Sequence, residues 1–138
     1  MVGILDHWFQ DKWLQEIGFK SGYPSLYRKF LSNVFYAGAE DVVVPLPLDS
    51  ANAFHVLQRN GIKLDFVHID GAHDYESVIA DLRRWWSLLR NGGILVADDY
   101  FIDGKTWPGV KRAVDEFLAE TPHTDFDQRR GKCRAIKA

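Results

Sequence analysis

The chain lacks most of what would mark a secreted, membrane-spanning or nucleic-acid-binding protein. Its 138 residues include a single cysteine, Cys133. No intramolecular disulfide can therefore form, and no Cys-x-x-Cys or Cys/His cluster exists to hold structural zinc. Thiol-poor usage fits a reducing compartment, so a cytoplasmic protein is the expectation. No apolar run approaches the ~18 residues of a membrane span. The start, Met1-Val2-Gly3-Ile4-Leu5-Asp6, carries no basic stretch and meets an acid too soon for a signal peptide. An excess of charge of one sign is also absent. Against 19 Asp+Glu stand 17 Lys+Arg, a net −2, whereas a nucleic-acid binder is expected to be basic. There is no Walker loop, no Gly-x-Ser-x-Gly elbow and no Ser/His/Asp set at usable spacing. Repeats, linkers and low-complexity tracts are missing too.

What is present suffices for one folded unit. With 46% hydrophobic and 26% charged residues, the composition is too apolar and too balanced for disorder. A chain of this length reads as one domain over 1–138, able to bury roughly two-thirds of its unfolded surface.

Helical and strand periods alternate along it. Leu26, Tyr27, Phe30, Leu31, Val34 and Phe35 fall at helical spacing after Pro24-Ser25, and Gly38 stops that helix. Asp41-Val-Val-Val-Pro-Leu reads as a short buried strand whose ladder Pro45 and Pro47 cut off. Asp49 or Ser50 caps a helix that ends at Asn60-Gly61. Leu64-Asp-Phe-Val-His-Ile is a second strand, apolar enough for a sheet covered on both faces. Tyr75, Val78, Ile79, Leu82, Trp85, Trp86 and Leu89 form a helical stripe closed by Asn91-Gly92-Gly93. Ile94 to Ala97 is a third buried strand, and Pro108 opens a last helix. Thr124 to Gln128 and Lys132 to Ile136 suggest a closing hairpin around Arg130-Gly131. This alternation predicts an α/β protein with a mainly parallel sheet. Before residue 23, Val2 to Leu5 reads as a strand, or the aromatic N-terminal stretch as a flap over the sheet.

Ligands of open parallel sheets bind beyond the carboxyl ends of the strands. Those ends deliver Asp6, Asp49-Ser50, Asp70 and Asp98-Asp99. Crowded carboxylates such as Asp70, Asp98 and Asp99 need a cation between them, for which Mg²⁺ with retained waters is suited. The alternatives are a proton on one carboxylate, or acids that merely shape turns. Asp74 reads as a helix cap. His73 reads equally as a general base or as a group that orients a carboxylate or bonds the helix start. His68, inside its strand, reads as a satisfied core histidine. His7, His55 and His123 have no partner at ligand spacing. Tyr75, Tyr100 and Trp107 lie near the rim, with packing as their default role.

The run from Phe66-Val-His-Ile-Asp-Gly-Ala-His-Asp-Tyr-Glu to Asp81-Leu82 resembles class I S-adenosylmethionine-dependent methyltransferases. Within that class it is similar to the Methyltransferase domain 24 group and to macrolide sugar O-methyltransferases. The likeness continues through Leu88-Leu-Arg-Asn-Gly-Gly-Ile-Leu-Val-Ala-Asp-Asp-Tyr and Trp107-Pro-Gly-Val-Lys-Arg-Ala-Val-Asp-Glu-Phe, covering about residues 26–120. The resemblance implies a Rossmann-like sheet with a C-terminal antiparallel hairpin. It further implies a divalent metal on Asp70, Asp98 and Asp99 that positions the acceptor hydroxyls. Asp49 and Ser50 would lie near the adenine of the cofactor, and Asp6 would hold its ribose.

One family feature is absent: no two glycines stand two apart, so there is no Gly-x-Gly loop to cradle S-adenosylmethionine. The resemblance places the family's first strand and that loop before Met1, leaving the chain about one βα unit short. Glu16-Ile-Gly-Phe-Lys-Ser-Gly22 is the alternative loop, at the cost of one strand–helix unit before Asp70. The expected function is metal-assisted methyl transfer to a small hydroxylated acceptor, with His73 as base. The alternative is a non-catalytic, oligomeric metal- or ligand-binding remnant of the fold. A third possibility is a partner for a separately encoded first half. An unpaired strand edge invites pairing with another chain, so a homo-oligomer is expected.

Overall fold

In the computed structural model, residues 19–20 and 23–138 are described. Val2 to Leu5, Asp6, the aromatic N-terminal stretch and the 16–18 and 21–22 parts of the alternative glycine loop lie outside the described residues.

Phe19–Lys20 (β1) and Tyr23–Pro24 (β2) form a minimal antiparallel pair. Helix α1, Ser25–Tyr36, follows directly and ends before Gly38, which adopts φ +61°. Asp49 caps α2, Ser50–Arg59, its carboxylate accepting the Asn52 N–H at 2.8 Å. Asn60 closes α2, and Gly61 reverses the chain at φ +65°. Then come β3 (Leu64–Ile69), α3 (Tyr75–Leu88), β4 (Leu89–Ala97), α4 (Pro108–Glu120), β5 (His123–Arg129) and β6 (Lys132–Lys137).

The larger sheet has the order β3-β4-β6-β5. β3 and β4 are parallel, as a βαβ crossover through α3 requires. β6 returns antiparallel to β4, and the β5–β6 hairpin turns at Arg130-Gly131, φ +50° and +76°. Two consecutive positive φ values match the twist of a hairpin, and Gly131 adopts one without a Cβ penalty. The fold is thus an α/β sheet with the expected C-terminal antiparallel hairpin, but among the described residues one pairing is parallel and two are antiparallel, where a mainly parallel sheet was expected.

Only one face of this sheet is closed among the described residues. Val67, Ile69, Leu95, Ala97, Cys133 and Ala135 are buried, together with the stripes of α3 and α4. Leu82 is fully buried, and Trp86 packs edge-on to Phe117 at 5.5 Å between ring centroids. α2 joins through Phe54, which meets Trp85 edge-on. Alternate residues point the other way, and there Phe66 is 55% exposed. Among the described residues, the expectation of two covered faces is therefore met on one.

The strand expected at 41–46 does not form. Residues 43–47 are irregular, and Val42 and Val44 are 81% and 78% exposed. A strand needs a neighbour to bond its N–H and C=O groups, and among the described residues none lies alongside. An apolar run with β-propensity is therefore insufficient. β4 also differs: it begins at Leu89, five residues before Ile94, with the Gly92 turn and a register shift opposite Leu64/Phe66 inside it.

Candidate functional site

The parallel pairing Ile69↔Ala97 sets the carboxyl ends of β3 and β4 level. The ladder runs one residue further, because the Asp98 N–H donates to the Ile69 carbonyl at 2.9 Å. Asp70 and Asp98 therefore emerge side by side. The shallow cleft at this rim is lined by Asp70, His73, Asp98 and Asp99, with Ile69 and Val110 among its apolar residues.

Asp98 is the most engaged of the three acids. Its Oδ1 accepts the Asp99 N–H at 2.9 Å, and its Oδ2 accepts from the Lys132 ammonium at the start of β6. Burial pushes its carboxyl upward, but Lys132, the Asp99 N–H and His68 outweigh that and hold it below the ordinary carboxylate value. Asp70 is exposed and has no hydrogen-bond or ion-pair partner among the described residues.

Asp99 does not join them. It sits at φ +57°, a conformation Asp tolerates better than most residues, and its Oδ2 pairs with His73 Nε2 at 2.8 Å. The His73 ring lies flat against Trp107, centroids 3.9 Å apart and planes 19° apart. Trp107 is itself left-handed, at φ +51°, immediately before Pro108 opens α4. The α4 N-terminus comes this close because residue 109 is glycine: a Cβ there would lie 2.5 Å from the His73 carbonyl oxygen and 2.8 Å from the Tyr75 nitrogen.

The place beside Asp70 and Asp98 is taken by His68. Read from sequence as a satisfied core histidine, it instead has a buried Nε2 with no hydrogen-bond partner, 3.3 Å from Asp98 Oδ2. One donor atom each from His68, Asp70 and Asp98 lies within 4.8 Å of the others, the one such group among the described residues. Two donors each about 2.0–2.2 Å from one ion lie at most about 4.4 Å apart, so small side-chain adjustments close this set on a cation. An imidazole nitrogen without a hydrogen bond, in ion-pair range of Asp98, and two carboxylates fit a divalent ion. The signal is present in the sequence: residues i and i+2 of a strand share a face, which aligns His68 with Asp70. Lys132 has no such signal, because it arrives from 34 residues beyond Asp98.

The other candidates separate. Asp49 is partly exposed, and the Asn52 backbone N–H and side-chain amide lower its carboxyl pKa. The segment before it is not a strand. Ser50 lies inside: its hydroxyl donates to Asp81 Oδ1 at 2.5 Å and accepts from Trp85 Nε1 at 2.9 Å. Asp74 caps α3 through the Ser77 N–H at 2.9 Å. Tyr75 donates to Glu116 at 2.5 Å and Tyr100 to Asp115 at 2.8 Å, so both hydroxyls are tied to α4. Cys133 is buried, which pushes its thiol up to about 12. No helix among the described residues is long and apolar enough to cross a membrane.

The sequence profile of the Methyltransferase domain family (Methyltransf_24) matches residues 4–100. The fold is similar to the O-methyltransferase from Bacillus cereus in complex with SAH, with TM-score 0.66, 18% identity, and coverage of 87% of this chain and 66% of that one. It is also similar to the O-methyltransferase TomG from Streptomyces achromogenes in complex with SAM, with TM-score 0.65, 16% identity, and coverage of 84% and 59%. An uncharacterized protein of Acanthamoeba polyphaga mimivirus is 39% identical over 61 residues, which are 44% of this chain and 26% of that protein. The chain thus spans about a quarter of that relative and under two-thirds of those structures.

Proposed function

Because this chain belongs to the Methyltransferase domain family, we propose that it transfers a methyl group from S-adenosylmethionine to a hydroxyl of a small polar acceptor, such as a sugar, at the rim of β3 and β4. One observation carries the reading: adjacent parallel strand ends converge Asp70, Asp98 and the His73–Asp99 pair on one cleft. S-adenosylmethionine supplies an electrophilic methyl on a sulfonium. Asp70 and Asp98 would hold a divalent ion, which would supply the positive charge that makes a hydroxyl easier to deprotonate.

The chain's own residues do the rest. Asp99 Oδ2 takes the Nε2–H of His73, which fixes the tautomer and leaves Nδ1 as the proton acceptor. Trp107 stacks on the ring and restricts its rotation. His73 then receives the hydroxyl proton as the acceptor oxygen takes the methyl group, the methyl–sulfur bond breaks and S-adenosylhomocysteine leaves, and the Asp99 carboxylate stabilises the imidazolium that results. Asp49 and Asp70 are the described carboxylates offered to the cofactor; Ser50 supports α2 from within.

Incubation of the chain with methyl-labelled S-adenosylmethionine, Mg²⁺ or Mn²⁺ and a panel of sugars and other polyhydroxylated compounds tests the proposal. Label in an acceptor, reduced at least tenfold by His73→Ala, is expected. Label in no acceptor, with none retained by the protein, contradicts it.

A second reading, a non-catalytic oligomeric module, is favoured by the apolar surface of Phe35, Tyr36, Val42, Val44 and Phe66. It predicts a homo-oligomer in sedimentation at micromolar concentration and no transfer to any acceptor.

A further inference from the structure

Taking the methyl-transfer reading as its basis, we infer that the cation centre of this chain is His68, Asp70 and Asp98, with an imidazole nitrogen where a third carboxylate was expected, and that Lys132 is the group a cation displaces. Three observations converge. The donor atoms of His68, Asp70 and Asp98 lie within 4.8 Å of one another, and Asp99 is not among them. His68 Nε2 is buried without a hydrogen-bond partner and faces Asp98 Oδ2 at 3.3 Å. A buried ring nitrogen left unbonded is costly unless something else satisfies it, and a metal ion does so with its lone pair. Asp99, meanwhile, is bonded to His73 at 2.8 Å and held in a left-handed backbone.

The ligand set decides which ion is preferred. Three carboxylates are a hard oxygen site, at home with Mg²⁺. One imidazole with two carboxylates shifts the preference toward first-row transition ions, for which nitrogen is a good donor. Lys132 reaches the site from the hairpin with a half-exposed side chain. Its ammonium neutralises Asp98 while no cation is bound. A divalent ion on the same carboxylate repels it, and its flexible stem lets it leave at little cost. Cation binding and the Lys132–Asp98 ion pair are therefore mutually exclusive.

The test uses the whole chain with Mn²⁺ and Mg²⁺ alone. Pulsed electron paramagnetic resonance of the Mn²⁺-loaded protein should show coupling to one imidazole nitrogen, lost in His68→Gln and kept in Asp99→Asn. By titration calorimetry, His68→Gln should weaken Mn²⁺ at least about tenfold, the scale of losing a metal-site interaction, and weaken Mg²⁺ less. Lys132→Gln should tighten both ions. The inference is overturned if the wild-type spectrum shows no nitrogen coupling, if Asp99→Asn rather than His68→Gln weakens Mn²⁺, or if neither ion binds. The wild-type spectrum decides even if a variant fails to fold. Binding of S-adenosylhomocysteine without added metal, measured alongside, reports separately on the methyl-transfer reading. If it binds and Mn²⁺ does not, only the cation centre is wrong.

Discussion

Replacing Gly109 by alanine should destabilise the protein although it puts a better helix former into a helix. A Cβ at this position would lie 2.5 Å from the His73 carbonyl oxygen, 2.8 Å from the Tyr75 nitrogen and 3.1 Å from the Asp74 carbonyl carbon. All three are backbone atoms at the start of α3, so no side chain can swing aside to make room. Contacts about 0.5–1 Å inside van der Waals range force α4 away from the 73–75 turn. Overpacking of this kind costs about 1–3 kcal/mol, more where backbone must move. The helix gains about 0.5–1 kcal/mol from losing a glycine. The difference spans about 0–2.5 kcal/mol, and because the atoms met are backbone, which must move, the upper part of that range applies. Urea unfolding followed by far-ultraviolet circular dichroism should show a lower midpoint at an unchanged slope. Because α4 carries Trp107 against His73, His73→Ala measured in both backgrounds should show non-additive effects. A midpoint equal to or above wild type would refute the close approach, and with it the positioning of His73 by Trp107.

Further perturbations probe the core and its polar inclusions. Leu82→Ala, at a fully buried position, should cost about 3–5 kcal/mol in the same unfolding assay. Ser50→Ala strips a hydrogen bond from the buried Asp81 carboxylate and another from the Trp85 indole, and should cost about 1–3 kcal/mol. Cys133, with its thiol pushed up to about 12 by burial, should react with a disulfide reagent at pH 8 only as fast as the protein unfolds. The sign of its pH effect follows from the direction of the shift. The folded value is above the unfolded one of about 8.5, so this stabilisation is complete below that pH and lost as pH rises toward 12. Cys133→Ala should flatten the alkaline decline.

Much of the fold is legible in the residues themselves, and the reasons are local. The stripe Val78, Ile79, Leu82, Trp85 and Trp86 fixes α3, Asp49 and Asp74 fix two helix starts, and Arg130-Gly131 fixes the hairpin turn. Convergence of Asp70 and Asp98 follows from two parallel strands ending in acids. What is not legible depends on neighbours that a single segment does not reveal. Asp41 to Leu46 has strand composition, yet pairing belongs to the sheet and not to the segment. Asp99 sits next to Asp98 in sequence, but its left-handed backbone turns it to His73. His68 alternates onto the face of Asp70, and what it meets there is set by Asp98 and Lys132 from other strands.

Methyl transfer at the β3–β4 rim requires that the chain bind S-adenosylhomocysteine, the product left by the methyl donor. Calorimetric titration with S-adenosylhomocysteine tests it most directly, on the wild-type chain and on Asp70→Asn. Saturable binding is expected, weakened at least tenfold by Asp70→Asn with the unfolding midpoint left near wild type. No heat at millimolar ligand, or equal affinity in the two proteins, would contradict it.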